Sequence, residues 1–134
     1  MGFISGVFLF WLYFLAALGA LVVFKWAYAK VTPYDEWRLI KEEQNTAAAI
    51  AFGGAVLGFA IALSGALSQS VSFWDFILWA LVALIGQIVA FYLVRSCFLP
   101  ALSSRIEAGE VSAAIMLAAT SVSVGVLNAA SMTY

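Results

Sequence analysis

Four long apolar runs alternate along the chain with three short polar connections. The runs cover Phe3–Tyr28, Thr46–Leu67, Phe73–Val94 and Val111–Met132, and almost all charged residues lie between them. Bilayer hydrocarbon is ~30 Å thick, and a helix needs ~20 apolar residues to cross it. Each run meets that length. The pattern therefore predicts an all-α integral membrane protein with four transmembrane helices in one domain over residues 1–134.

The polar connections carry helix signals of their own. Thr32-Pro33-Tyr34-Asp35 offers an N-cap, a proline at the first helical position and an acid at the third. Trp37 and Ile40 then share a face, and Leu102 and Ile106 repeat the spacing after Pro100. Short amphipathic lead-in helices are expected there, lying at the interface or extending the second and fourth spans. Ser72-Phe73-Trp74-Asp75 fits a capping box, so Asp75 reads as a cap for the third span.

The second half restates the first. Leu39-Ile40-Lys41-Glu42-Glu43-Gln44-Asn45-Thr46-Ala47-Ala48-Ala49-Ile50 aligns with Ser104-Arg105-Ile106-Glu107-Ala108-Gly109-Glu110-Val111-Ser112-Ala113-Ala114-Ile115, about 65 residues later. The expected units are about 1–68 and about 69–134, each an aromatic-rich span, a proline, an acidic lead-in and a small-residue span. Two spans per unit make the copies parallel, with a symmetry axis along the membrane normal.

Residue size separates the spans. The first and third are rich in Phe, Trp and Tyr, which suit lipid and the membrane boundaries. The second carries Gly54, Gly58, Ala62 and Ala66 at four-residue spacing, and the fourth carries Ser121, Gly125 and Ala129. Such ridges allow close backbone approach between membrane helices. The second and fourth spans are expected to pack centrally, and the surface left over favours a homo-oligomer.

Charge adds an orientation. Lys25, Lys30, Arg38 and Lys41 surround the first connection and Arg95 and Arg105 flank the third, while the second connection has no cation. The positive-inside rule puts the first and third connections in the cytoplasm and both termini outside. No cation precedes the first apolar run and position 6 is Gly, so it is expected to be a retained span and not a signal peptide or myristoylation site. With 66% hydrophobic residues, 10% charged and a mean hydropathy of +1.08, membrane lipid is the expected surroundings. A net charge of −1 argues against nucleic acid as a partner.

Candidate chemistry is sparse. The chain has no His and its single Cys97 lies near the basic end of the third span, so no catalytic, metal or cofactor site is expected. Gln87, Thr120, Ser121 and Asn128 put amides and hydroxyls at membrane depth, as interhelical hydrogen bonds or as a polar path. Glu42, Glu43, Glu107 and Glu110 stand where the second and fourth spans begin. They read as caps and partners of Lys41 and Arg105, or as an acidic ring at a cytoplasmic mouth.

The stretches IKEEQNTAAAIAFGGAVLGFAIAL, FWDFILWALVALIGQIVAFYL and RIEAGEVSAAIMLAATSVSVGVLNAA resemble the YjfL-like family of bacterial inner-membrane proteins, built on domain of unknown function 350. The resemblance covers nearly the whole chain. Its motif is an acidic lead-in, Gly-Asn and an alanine-rich helix start. Asn45 matches in the first copy after Gln44 in place of Gly; Gly109 matches in the second, with Glu110 in place of Asn. The resemblance implies an inner-membrane protein of unsettled activity, associated with genes for phage-shock-like and glutathionylspermidine-synthase-like proteins, and so a role in envelope stress.

The reading is a non-enzymatic homo-oligomeric scaffold that recruits a cytoplasmic membrane-associated partner in envelope maintenance. The alternative is a channel for a small solute or ion, with the fourth span and Gln87 lining the path. A proton-coupled exporter is disfavoured, since such transporters usually need a carboxylate within the membrane.

Overall fold

The computed structural model describes residues 2–31, 36–93 and 102–132. Among the described residues six helices follow one another: α1 Phe3–Val31, α2 Glu36–Lys41, α3 Thr46–Gln69, α4 Phe73–Leu93, α5 Leu102–Glu107 and α6 Val111–Ser131. The four long ones are long and apolar enough to cross a membrane. At 1.5 Å per residue the 29 residues of α1 span roughly 43 Å, and the 21 of α4 roughly 32 Å. The Thr32–Asp35 start signal, Pro100, Arg95 and Cys97 lie outside the described residues, as does Val94 at the expected end of the third span.

Contact registers fix the directions. Gly54 abuts Ala118 and Gly65 abuts Ala129, so α3 and α6 run parallel. Tyr13 meets Phe76 and Tyr28 meets Phe91, so α1 and α4 are parallel too. Phe24 stacks on Phe59 at 4.7 Å while Tyr28 reaches back to Phe52, which makes α1 antiparallel to α3.

Helix α3 is the centre. Half of its most apolar stretch (50%) is buried in the chain, against 28% for α6, 24% for α4 and 6% for α1. The expectation of a central second span agrees with this, but α6 is about as open as α4 and presents one face outward. The aromatic positions also divide more finely than expected. Phe24, Tyr28, Phe76 and Phe91 are buried inside the bundle, whereas Phe8, Phe10, Trp11, Trp26 and Trp74 are exposed. Alanines on α3 and α6 leave room that α1 and α4 fill with rings.

Helices α2 and α5 are short and pack under the bundle. Leu39 anchors α2 and Ile106 anchors α5, both essentially fully buried. Leu39 takes the place that spacing assigned to Ile40, which is half-buried. The side chains of Trp37 and Leu102 lie outside those described.

Candidate functional site

At the centre of the molecule α3 and α6 cross with almost no side chain between them. A Cβ placed on Gly125 would collide with the carbonyl of Gly58, and one on Gly58 would collide with the carbonyl of Ser121. Gly54 likewise has no room beside Ala118, and a Cβ on Gly65 would stand 2.7 Å from the Cα of Ala129. Ala62 and Ala66 are fully buried on α3, and Ser121 is buried on α6. Without a hydrophobic drive separating protein from lipid, such close approach maximises dispersion between backbones. Gly65 was not singled out in the sequence, although it lies seven residues, about two turns, beyond Gly58.

A polar node sits on this crossing. Gln87, 4% exposed, donates from Nε2 to the Ser121 carbonyl at 3.0 Å. Asn128 donates from Nδ2 to the Ala83 carbonyl at 3.0 Å and to Gln87 Oε1 at 3.3 Å. Two glycines make the space: Gly58 faces the Gln87 amide and Gly86 faces the Asn128 amide. The node thus ties α4 to α6 across the Gly58 step of α3. Thr120 lies apart from it, with its hydroxyl donating to the Met116 carbonyl at 2.9 Å on its own helix. Ser123 and Ser131 return their hydroxyls to their own helix in the same way. Three cavities among the described residues are walled by apolar and aromatic residues and Ser70, and none is lined by Gln87 or Asn128.

The charged end is built from two turns of related design. Arg38 pairs with Glu43, and Arg105 grips Glu110 with two hydrogen bonds of 2.7 and 2.6 Å. The guanidinium bonds hold the Glu110 carboxyl below the usual range against partial desolvation, with Ser112 Oγ helping at 3.1 Å. The Arg105 guanidinium is raised by the same bonds, against desolvation. Glu42 and Glu107 are exposed at this end. The carboxylates therefore divide: Glu43 and Glu110 each meet an arginine five residues earlier, so Arg105 takes its expected role while Arg38, and not the expected Lys41, pairs with Glu43.

Asn45 joins the two turns. It is the N-cap of α3, its Oδ1 accepting from the Ala48 N–H at 2.9 Å. Its Nδ2 donates to the carbonyls of Ile106 and Glu107 at 3.2 and 3.1 Å, capping the last turn of α5. One asparagine thus satisfies an orphan donor of α3 and supplies a donor to the last carbonyls of α5, of which Ile106 also accepts from the Gly109 N–H. Its counterpart Glu110 makes no cap hydrogen bond, since Arg105 and Ser112 hold its carboxylate. Just before them Gln44 and Gly109 both have positive φ, 51° and 86°. Gly109 donates to Ile106 and Glu110 to Arg105, the Schellman ending of α5. Four residues separate α2 from α3 but three separate α5 from α6, so the first turn is one residue longer.

At the opposite end Ser72 Oγ accepts from the Asp75 N–H at 3.2 Å. The Asp75 carboxylate accepts from Val71, not Ser72, at 2.9 Å, a capping box displaced by one residue.

Comparison with known proteins puts this architecture in context. The chain is 38% identical over 122 residues to "UPF0719 inner membrane protein YjfL" of Escherichia coli strain K12, covering 91% of each chain. The protein of the same name from Escherichia coli O157:H7 matches with the same identity and coverage. No solved structure matches. The family model for the domain of unknown function DUF350 matches residues 2–132, a range that takes in all six helices described above, and the chain belongs to that family.

Proposed function

We propose that the chain is a non-enzymatic, homo-oligomeric scaffold of the bacterial inner membrane, acting in envelope maintenance. One observation carries the reading: the side of the α3–α6 pair away from α1 and α4 is exposed and partly built of small residues. Gly53, Leu57 and Ser64 of α3 and Ile115, Ala119 and Val126 of α6 are open there, and nothing lies within 4 Å of the Cβ position of Gly53. The same small-residue logic that joins α3 to α6 inside one chain favours joining of chains across this face. The positive-inside rule puts α2 and α5 in the cytoplasm, where exposed Glu42 and Glu107 would meet a basic surface of a membrane-associated partner. The parallel pairing of α3 with α6 and of α1 with α4 supports duplication of a two-helix unit, about 1–68 and 69–134.

The internal bonding of Gln87 and Asn128 favours a packing role over a permeation path, since their amides are occupied by each other and by carbonyls. The arginine pairing of Glu43 and Glu110 favours turn structure over an acidic mouth.

Native mass spectrometry of the detergent-purified chain tests the proposal. A multimer is expected, and Gly53→Trp is expected to dissociate it. A monomeric wild-type chain would remove the reading. Cation flux through proteoliposomes, abolished by Gln87→Leu or Asn128→Leu, would transfer it to a channel.

A further inference from the structure

Helix α1 is pinned to the bundle by aromatic contacts at two levels. Tyr13 meets Phe73 and Phe76 at one level, and Phe24 and Tyr28 meet Phe59 and Phe91 at the other. Between them the helices do not close. Gly19 and Ala20 of α1 face Ala80 of α4 across a cleft of ≈ 330 Å³, with Val23 and Leu84 at one end and Phe59 on its floor. A Cβ on Gly19 would meet nothing within 4 Å. Water finds no polar side chains on these walls and has no reason to stay. An empty slot would forfeit the dispersion that a hydrocarbon chain supplies.

Charge decides what kind of hydrocarbon chain belongs there. Lys30 follows Val23 by seven residues, so it returns to within about 20° of the same side of α1, ~10 Å further along. It is exposed, and a lysine stem can lie along apolar surface while its ammonium reaches the headgroup level. Helix α1 carries Lys25 and Lys30 and no acid. The other end of the cleft, at Ala16 and Ile77, has no lysine or arginine near it among the described residues. A negative headgroup is attracted at one end only, which gives a bound lipid a direction.

From this geometry we infer that the α1–α4 cleft holds the distal part of an acyl chain of an anionic phospholipid whose headgroup sits at Lys30. The site is independent of the oligomer face, which lies on the other side of the α3–α6 pair, and of which way the protein faces.

The experiment is native mass spectrometry of the full-length protein titrated with phosphatidylglycerol or phosphatidylcholine of identical acyl chains. Phosphatidylglycerol is expected to be retained about fivefold better, the scale of one lysine at an anionic surface. Lys30→Gln is expected to lower its retention to that of phosphatidylcholine. Lys25→Gln, two residues and about 200° from the cleft side of α1 at Val23, is expected to leave the preference intact. Ala20→Phe fills the slot and is expected to release both lipids. A phosphatidylglycerol with a photoreactive acyl chain, used on the unmodified protein, is expected to label Gly19–Val23 and Ala80–Leu84. Equal losses in the two lysine variants would overturn the inference by reducing it to bulk attraction. So would labels spread evenly around α1, whatever the fate of Ala20→Phe.

Discussion

Gly58 and Gly125 meet backbone to backbone where α3 crosses α6, and neither position has space for a methyl group. The crossing distance of the two helices is therefore set by two hydrogen atoms. What a methyl would strike is main chain, which cannot rotate away as a side chain would.

Replacing either glycine forces the helices apart, and overpacking of this kind costs ~1–3 kcal/mol. Gly125→Leu is expected at the upper end of that range, because the carbonyl of Gly58 is the first atom met. Gly53→Ala, one residue from Gly54 but facing outward, is expected to leave a single chain no less stable, since its methyl meets nothing and alanine favours the helix interior by about 0.5–1 kcal/mol. Unfolding in mixed micelles measures both. Equal sensitivity at Gly53 and Gly125 would contradict the crossing described.

Gln87 and Asn128 form a coupled pair, so their substitutions should not add. Interhelical hydrogen bonds in membranes average ~0.6 kcal/mol and reach ~1.7. Asn128→Ala removes the bonds to Ala83 and to Gln87, and is expected to cost ~1 kcal/mol. Gln87→Leu should cost a similar amount through the lost Ser121 bond and the tight fit against Gly58. The double variant is expected to cost measurably less than the sum, because each single change already breaks the Asn128–Gln87 bond. Strict additivity in a double-mutant cycle would mean that the two amides do not communicate.

The spans themselves were legible because hydropathy and length leave little choice: the expected start of every run coincides with the first residue of a helix. The pairing of faces was less legible. Gly53 and Gly54 are adjacent in sequence, yet one looks outward and the other abuts Ala118, since neighbours on a helix stand about 100° apart. Which of them touches a partner depends on where α6 lies, and that is a property of the assembled bundle. Gly86 was equally hidden, since its role is to admit Asn128 from a helix more than 40 residues away in the chain. The bond from Asn45 to the end of α5 had a partial signal in the aligned lead-ins, but only proximity of the two turns reveals it.

Acid should loosen the second turn through Glu110. Its carboxyl lies below its ordinary value in the folded chain because Arg105 hydrogen-bonds the ionised form. A lowered folded value means stabilisation that is complete above the unfolded value of ~4.3 and fades as pH falls through the folded one. Arg105 stays charged throughout this window and adds no slope of its own. The stability difference between wild type and Glu110→Gln is expected to be constant near neutrality and to shrink below about pH 4.3. A difference that grew on acidification would reverse the sign of the argument.

The two turns carry different residues at their positive-φ position, and this offers a gain in place of a loss. Gly109 holds φ at 86° where a glycine suffers no Cβ penalty, but Gln44 holds φ at 51° with a side chain attached. A left-handed conformation costs an L-residue roughly 1–2 kcal/mol, partly offset by the larger unfolded-state entropy of glycine. Gln44→Gly is therefore expected to stabilise the chain by about 0.5–1 kcal/mol, provided the exposed Gln44 side chain contributes little. The exchange Gly109→Gln should destabilise by a comparable or larger amount, because it imposes the same strain on the Schellman ending of α5. Chemical denaturation of the two variants in the same detergent decides it. If Gln44→Gly is destabilising, the strain assigned to the first turn is absent, and the glutamine must be held there by contacts stronger than the backbone penalty.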